Sequence, residues 1–339
     1  MIGVVSDMHL REERGYADCV PDRREGEKEE VLDSIVNLFS ECDTVVLLGD
    51  MLNARNNPSS VIREYVEFLE RLGDRKLYIM AGNHEKFANG SSAIDFLREL
   101  KGKPNWTVIT DGPVGHGKLT FLPYMHRSEL GTSSWEEATE KVTEELSSIG
   151  GDILFAHHAL AGTETQTGDK VDLFNEVVLP LKNLTGKFSL IIGGHIHKPQ
   201  QKDNAYVVGS VFADEVDEGQ KYVLKIDEET MKVTRAELPG RRIIRLLNPT
   251  GEEAVQKEGT IVRAVLDRRR SSEEMDRLKD WLQAFDAYVL VESYASPRKR
   301  TRQEEGFECL PMERMLKEYA KSKDIDGNML LEGWDIIKE

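Results

Sequence analysis

Short apolar runs that stop at polar residues recur along this chain. Residues 2–5 (Ile-Gly-Val-Val) end at Ser6-Asp7-Met8-His9, and residues 44–48 (Thr-Val-Val-Leu-Leu) end at Gly49-Asp50. Residues 76–80 lead into Ala81-Gly82-Asn83-His84, residues 153–156 into His157-His158, and residues 189–192 into Gly193-Gly194-His195-Ile196-His197. Runs this short, bounded by turn formers, have the length of buried strands. Between them Val31, Ile35, Leu38 and Phe39, and later Ile62, Val66 and Leu69, recur at helical spacing. Ser59 or Ser60 is placed to cap the second of these helices, which would run to Leu72. The alternation predicts an α/β layer whose polar side chains gather where strands end.

Farther on, residues 205–211 and 222–226 read as strands of an antiparallel stretch, with alternation continuing through 232–234. A boundary is expected at 239–249. Beyond it a strand at 260–266, a helix opened by Ser271-Ser272-Glu273-Glu274 and carrying Met275, Leu278 and Leu282, and a strand at 288–291 form a small α+β module. Residues 297–306 are charged and turn-like. Met312, Met315, Leu316 and Tyr319 then return to helical spacing, and Met329, Leu330, Leu331, Trp334, Ile336 and Ile337 make an apolar end that must be buried somewhere. The expected organisation is 1–240, 250–300 and a C-terminal segment at 305–339.

Composition narrows the function classes. At 339 residues with 39% hydrophobic content the chain can bury a core, which argues against intrinsic disorder. It has no apolar run long enough for a membrane span and opens without a signal-peptide pattern. Cys19, Cys42 and Cys309 are odd in number and widely spaced, so neither a disulfide framework nor a CxxC metal knuckle is expected, and a reducing cytoplasm fits. A net charge of -16 argues against general coating of nucleic acid. Any nucleic-acid channel must be local, fed by Arg263, Arg268, Arg269, Arg270, Arg298, Lys299 and Arg300, or by bound cations.

The candidate chemistry lies at the five strand ends. Asp7 and His9 are two apart, so on an extended segment they share a face. Gly49 and Gly82 precede Asp50 and Asn83 and let the chain turn inward. Carboxylate, amide oxygen and imidazole together suit hard or borderline divalent ions such as manganese, iron or zinc, and no cysteine is near enough for a thiolate site. Two such ions about 3.5–4 Å apart can clamp the attacking and leaving oxygens of an in-line phosphoryl displacement.

In order and spacing, Asp7-Met8-His9, Gly49-Asp50, Gly82-Asn83-His84-Glu85, His157 and Gly194-His195-Ile196-His197 resemble the five motifs of calcineurin-like metallophosphoesterases. The resemblance implies a β-sandwich flanked by helices and two divalent ions, most often Mn2+, with Mg2+, Fe2+ or Zn2+ as alternatives. By this likeness Asp7, His9, Asp50 and His197 would hold one ion, and Asp50, Asn83, His157 and His195 the other, with Asp50 bridging. A hydroxide between the ions would attack phosphorus, His84 would stabilise the phosphate or protonate the leaving oxygen, and Glu85 would orient the His84 ring. His158 is expected to be a packed neighbour, and His116 and His126 to have no catalytic part. Tyr124 and Arg127 are near enough in sequence to line a substrate channel.

The GHIHKPQ segment, the Ala205-to-Ser210 stretch after it and the added α+β module resemble SbcD-like DNA double-strand-break nucleases, including compact phage-encoded relatives. That branch implies a homodimeric exonuclease and endonuclease of DNA repair and recombination, whose 250–300 module caps the active site and guides DNA, working with an SbcC-like coiled-coil ATPase that docks on the C-terminal segment. Helices near 31–39 or 61–72 would build the dimer contact. One departure stands out: cellular members commonly carry a histidine three residues after the motif-two aspartate, where this chain has Asn53. An amide can donate a hydrogen bond to phosphate but cannot serve as an acid near neutral pH. Arg55 nearby could contact phosphate or form a structural ion pair. A small-molecule phosphodiesterase or protein phosphatase is the alternative, although the Asp-Arg-Gly run of the phosphatase branch is missing after Asp50. A non-catalytic scaffold is a third reading, opposed by the complete set of site residues.

Overall fold

The computed structural model describes residues 1–20, 24–165, 171 and 176–293; the segment expected to dock a partner, and Arg298, Lys299 and Arg300, lie outside them. Strands β1 (Ile2–Val5), β2 (Thr44–Leu47), β3 (Lys76–Met80) and β4 (Trp106–Ile109) are parallel neighbours, with α1 (Glu27–Leu38) and α2 (Ser59–Arg71) as crossovers. A second sheet starts with β5 (Val114–His116) and β6 (Leu119–Leu122) and continues past α3 (Arg127–Leu130) and α4 (Trp135–Ser148) to β7 (Ile153–Ala156). The two-residue strands β8 (Ala159–Leu160) and β9 (Val178–Leu179) pair with each other, α5 (Leu181–Leu184) follows, and β10 (Leu190–Gly193), β11 (Gln200–Lys202) and β12 (Ala205–Val207) complete this sheet in the order β11-β12-β10-β7-β6-β5. The chain then returns to the first sheet with β13 (Tyr222–Ile226) and β14 (Val233–Glu237), giving β14-β13-β1-β2-β3-β4.

The apolar pattern explains the layering. Ile2, Val4, Val46, Leu48, Tyr78 and Met80 of the first sheet meet Phe121, Ile153, Phe155, Leu190 and Ile192 of the second in one buried cluster. The alternate residues Val5, Val45, Leu47, Leu77 and Ile79 face the other way, onto Val31, Leu32, Ile35, Val61, Tyr65 and Phe68 of α1 and α2. On the far side, Leu154, Ala156 and Ile191 pack on Ala138, Val142 and Leu146 of α4. Both faces of each sheet are therefore covered, and the central strands read as continuous apolar runs. The result is the expected β-sandwich flanked by helices. Of the apolar stripes of α1 and α2, Val31, Ile35, Phe39 and Leu69 are buried within the chain and Leu38, Ile62 and Val66 are half-buried, and the two helices are linked by Lys28–Glu64 at 2.7 Å and Arg71–Glu29 at 3.0 Å.

A third sheet of β15 (Arg242–Leu247), β16 (Thr260–Leu266) and β17 (Ala287–Glu292) is wholly parallel, with α6 (Ser272–Leu282) between its last two strands. Its core unites Val262, Ala264, Leu266, Leu278, Leu282 and Phe285. Ser271 and Glu274 form the expected capping box. β15 occupies the stretch read as a boundary, because Ile243 and Ile244 supply a short apolar centre among arginines. Two local expectations also shift. The residue before α2 is Pro58, and the Ser60 hydroxyl donates to Glu12 at 2.9 Å instead of capping. The strand from Ala205 ends at Val207, ahead of the left-handed Gly209 (φ 82°). No described helix is long and apolar enough to cross a membrane.

Gly3 is required by packing. A Cβ there would lie 2.5 Å from the Phe39 ring, which covers β1. Gly3→Ala should lower stability by about 1–3 kcal/mol. Phe39→Leu in the same chain should recover part of that loss in chemical denaturation, and strictly additive losses would argue that the contact is not what excludes the methyl group.

Candidate metal centre

The strand ends do not converge by simple alternation. Asp7 (φ 50°), His9 (φ 46°), Asp50 (φ 53°) and His195 (φ 75°) all lie in the left-handed region, so the chain kinks at each rather than extending from Asp7 to His9. Such residues are uncommon outside glycine, each costs about 1–3 kcal/mol, and they cluster at functional sites. Hydrogen bonds hold the kinks. The Asp7 N–H donates to the Gly49 carbonyl (3.1 Å), the His9 N–H to the Asp50 carbonyl (2.9 Å) and the Leu10 N–H to the Met51 carbonyl (2.8 Å), fastening the loop after β1 to the loop after β2.

Glu85 fastens the third loop. Its fully buried carboxylate accepts N–H groups from Gly82 (2.9 Å), Leu52 (2.9 Å) and Asp50 (3.2 Å). Burial and the nearby Asp50 charge push its pKa up to about 7. This corrects the expectation that Glu85 orients His84: the His84 Nδ1–H donates to the Asn53 carbonyl at 2.7 Å, and Glu85 is spent on backbone. Gly82 is needed because a Cβ would stand 2.1 Å from Asp50 Oδ1.

The expected ligands come together. Three groups of donor atoms lie within 4.8 Å of one another: Asp7, His9 and His197; His9, Asp50 and His84; Asp7, Asp50 and His157. Asp50 Oδ2 is 3.4 Å from His157 Nε2, 3.8 Å from His9 Nε2 and 4.0 Å from His84 Nε2, which puts it between two halves of the site. In one half, His9 and His197 face each other through Nε2 at 3.0 Å, with Asp7 Oδ1 3.9 and 4.0 Å from them. In the other, Asn83 Oδ1 lies 2.9 Å from His195 Nδ1 and 3.2 Å from His157 Nε2.

The donor chemistry fits divalent cations. The His157 Nδ1–H donates to the Leu48 carbonyl (2.7 Å) and the His197 Nδ1–H to Glu218 Oε1 (2.9 Å), so in the neutral rings both Nε2 atoms present lone pairs to the centre. His195 stands between two acceptors, Asn83 Oδ1 and Glu176 Oε2 (2.7 Å), yet a neutral imidazole carries one proton. One ring nitrogen of the neutral imidazole thus faces an acceptor, a contact that a cation between them would make favourable. Burial holds the His9 pKa down to about 4, keeping the ring in the unprotonated form a ligand needs. Burial also opposes charge on Asp50 and His157, but their mutual attraction prevails, lowering the first and raising the second. Asp7, His9, Asp50 and His197 would hold one ion, and Asp50, Asn83, His157 and His195 a second.

His84 is the exposed member. With Asn53, Ala54, Arg55, Asn56, Asn83 and Phe87 it lines an open cavity of 590 Å³. Arg55 Nε donates to the Lys86 carbonyl, and no carboxylate pairs with it among the described residues. His158 is buried and stacked on Tyr124 (centroids 5.2 Å apart), and burial holds its pKa down to about 3. His116 lies tilted against Tyr78 and edge-on to Phe121, and His126 supports the start of α3. Tyr124 is buried beside His195, while the Arg127 guanidinium lies over Trp135.

Sequence reasoning missed the residues that support the ligands. Buried Glu218 accepts from His197, from Lys221 Nζ (3.0 Å) and from the Asp214 N–H (3.2 Å). Ser6 donates to Asp7 Oδ2. Buried Arg14 donates to the His9 carbonyl (2.6 Å) and pairs with Asp214 (3.2 Å), which also meets Arg11 (3.0 Å). Burial alone would raise the Asp214 pKa, but Arg14 and Arg11 hold it below the usual carboxylate value. Glu218, Asp214 and Arg14 have no motif; each is one carboxylate or arginine in a charged run such as Asp214-Glu215-Val216-Asp217-Glu218.

Two outcomes follow from these supports. Glu218→Gln should weaken divalent-metal binding about 10–100-fold in competition with a chromophoric chelator, and unchanged affinity would show that Glu218 does not orient His197. Asp214→Asn, which strands the buried Arg14 charge, should cost about 3–5 kcal/mol in urea unfolding. Because the folded Asp214 pKa is depressed, this difference should be complete above pH ~4 and shrink as the pH falls through the folded value.

Among curated proteins none matches the chain. Among solved structures it is similar to one described as a novel archaeal phosphodiesterase, at 14% identity over 70% of this chain and 99% of that one, with a TM-score of 0.35, a likeness too distant to inform the chemistry. The family profile for calcineurin-like phosphoesterases matches residues 1–199, which contain every candidate metal ligand and more than half of the 339 residues. Five strand-end motifs converge on Asp50 within that matched span, and the chain belongs to the calcineurin-like phosphoesterase family.

Proposed function

We propose that this chain is a metal-dependent phosphodiesterase that hydrolyses DNA, as an exonuclease and endonuclease, in repair or recombination. The observation that carries the hydrolytic part is the convergence of two donor sets on Asp50, with His84 standing at the mouth of an open cavity. Divalent ions bound there supply Lewis acidity and a water of lowered pKa. The chain's own residues do the rest. Asn53 fixes His84 through its carbonyl, so that His84 Nε2 points to the side of Asp50 Oδ2 and, as an imidazolium with a proton on each ring nitrogen, can stabilise a phosphate oxygen or pass the Nε2 proton to the leaving oxygen. The Asn53 side chain contributes no acid, which leaves His84 as the proton donor at this rim. Arg55 and Asn56 offer hydrogen-bond donors to phosphate oxygens or bases in the same cavity.

The choice of DNA over a small phosphodiester is supported by the openness of this cavity, by the appended parallel module and by the motif resemblance. Homodimer formation and docking of an SbcC-like ATPase on residues 305–339 belong to the same proposal. The test is manganese-dependent degradation of end-labelled linear DNA by the full chain. Asp50→Asn should abolish it, and His84→Gln should lower it about 10²–10⁴-fold. Mutant-sensitive hydrolysis of bis(p-nitrophenyl) phosphate with intact DNA, in the presence and absence of the ATPase, would instead make the protein a small-molecule phosphodiesterase.

A further inference from the structure

The cavity beside His84 has an aromatic wall. Phe87 lines it together with Asn53, Arg55 and Asn56. Its ring is half-buried, and among the described residues it joins none of the apolar clusters that fill the interior. A lone half-covered ring on a surface is ordinary. This one is set apart by where it stands and by how firmly it is held.

Residues 87–90 form a tight turn. The Gly90 N–H donates to the Phe87 carbonyl at 3.0 Å, and the Phe87 N–H donates to the Ser91 carbonyl at 2.9 Å. Fully buried Lys86 clamps the turn, its ammonium donating to the Gly90 carbonyl (2.7 Å), the Thr110 carbonyl (2.8 Å) and Glu129 Oε2 of α3 (2.7 Å). All three donors of that ammonium are therefore spent on holding this loop in place. Ser128 Oγ of α3 donates to the Ala88 carbonyl at 2.9 Å, and the Lys86 carbonyl receives Arg55 Nε, which ties the two walls of the cavity together. The ring is carried by backbone fixed before any ligand arrives, the condition for a precise contact.

The cavity exceeds what a bare phosphate needs. Its 590 Å³ falls within the range of about 300–1,000 Å³ of pockets that enclose an organic ligand, and such pockets combine aromatic walls with a few placed polar groups. His84 belongs to the same lining, with Nε2 4.0 Å from Asp50 Oδ2, so an ester of a phosphate at the metal centre would extend its organic group into this space. A nucleobase offers a flat π-face to Phe87 and, along its edge, donors and acceptors to the amides of Asn53 and Asn56. Every base has such a face, so the contact selects nucleotides without selecting sequence.

We propose that Phe87 is a stacking platform for a nucleobase, making this cavity the subsite for the nucleoside joined to the phosphate at the metal centre. That the nucleoside belongs to a DNA strand rests on the reading of the chain as a nuclease; the affinity for a base does not. The test uses the full chain. Calorimetry in manganese compares deoxyadenosine 5′-monophosphate with 2-deoxyribose 5-phosphate, which has no base, for wild type, Phe87→Leu and Phe87→Tyr. Wild type should bind the nucleotide about tenfold more tightly than the sugar phosphate. Phe87→Leu should shrink that ratio to below about twofold by weakening the nucleotide alone, and Phe87→Tyr should retain it. Proton spectra of the nucleotide with wild type in diamagnetic magnesium add a readout that needs no variant: ring stacking should move the adenine H2 and H8 resonances upfield. Equal or absent affinity for the two probes in wild type, unmoved adenine resonances, or a ratio that survives Phe87→Leu would overturn the platform. If linear DNA resists cleavage in manganese while the adenine advantage stands, the nuclease reading falls and the subsite belongs to a free nucleotide.

Discussion

The buried carboxylate of Asp50 is the constraint on which the rest of this structure turns. It sits between two groups of imidazoles, its backbone is kinked into the left-handed region, and its N–H is received by Glu85. A carboxylate so placed is tolerable only among positive charge and fixed donors. The His84 N–H donates to Asp50 Oδ1 at 2.8 Å, and His157 and His9 face the other oxygen. The left-handed kinks, the missing Cβ of Gly82 and the three backbone donors on Glu85 all serve to bring this one group to one place.

Around that centre most supporting groups are paired, while His9 Nδ1, Arg11 Nε and Arg14 Nε have no hydrogen-bond partner among the described residues. Arg14, Asp214, Glu218 and Lys221 form a chain of charge that begins at the His9 carbonyl and ends at the His197 ring. Such networks orient ligands and fix their tautomers.

Much of the fold could be read from the chain because its central strands are apolar on both sides, and each ends at a conspicuous Asp, Asn or His. β13 and β16 matched their expected ranges residue for residue. The elements that escaped have weak patterns. α4 buries only Ala138, Val142 and Leu146 among acidic residues, and β5 is three residues long with one partly exposed glycine at its middle. The seven expected metal ligands were legible as ordered motifs, and the structure brings them together. What the chain could not announce was the surrounding support: Glu218, Glu176, Asp214 and Arg14 act through contacts between segments far apart in sequence. The role expected for Glu85 failed for the same reason, since adjacency to His84 says nothing of which backbone groups its buried carboxylate meets.

The candidate ligands come from both layers of the sandwich: Asp7, His9, Asp50 and Asn83 follow strands of the first sheet, while His157, His195 and His197 follow strands of the second. An ion held there would join the two layers at their shared edge as a non-covalent rivet. Folding and metal occupancy are then thermodynamically linked, with stabilisation growing as the logarithm of free ion over its dissociation constant, about 2.7 kcal/mol at a hundredfold excess. The availability of divalent metal would govern how long the folded chain survives as well as how fast it works.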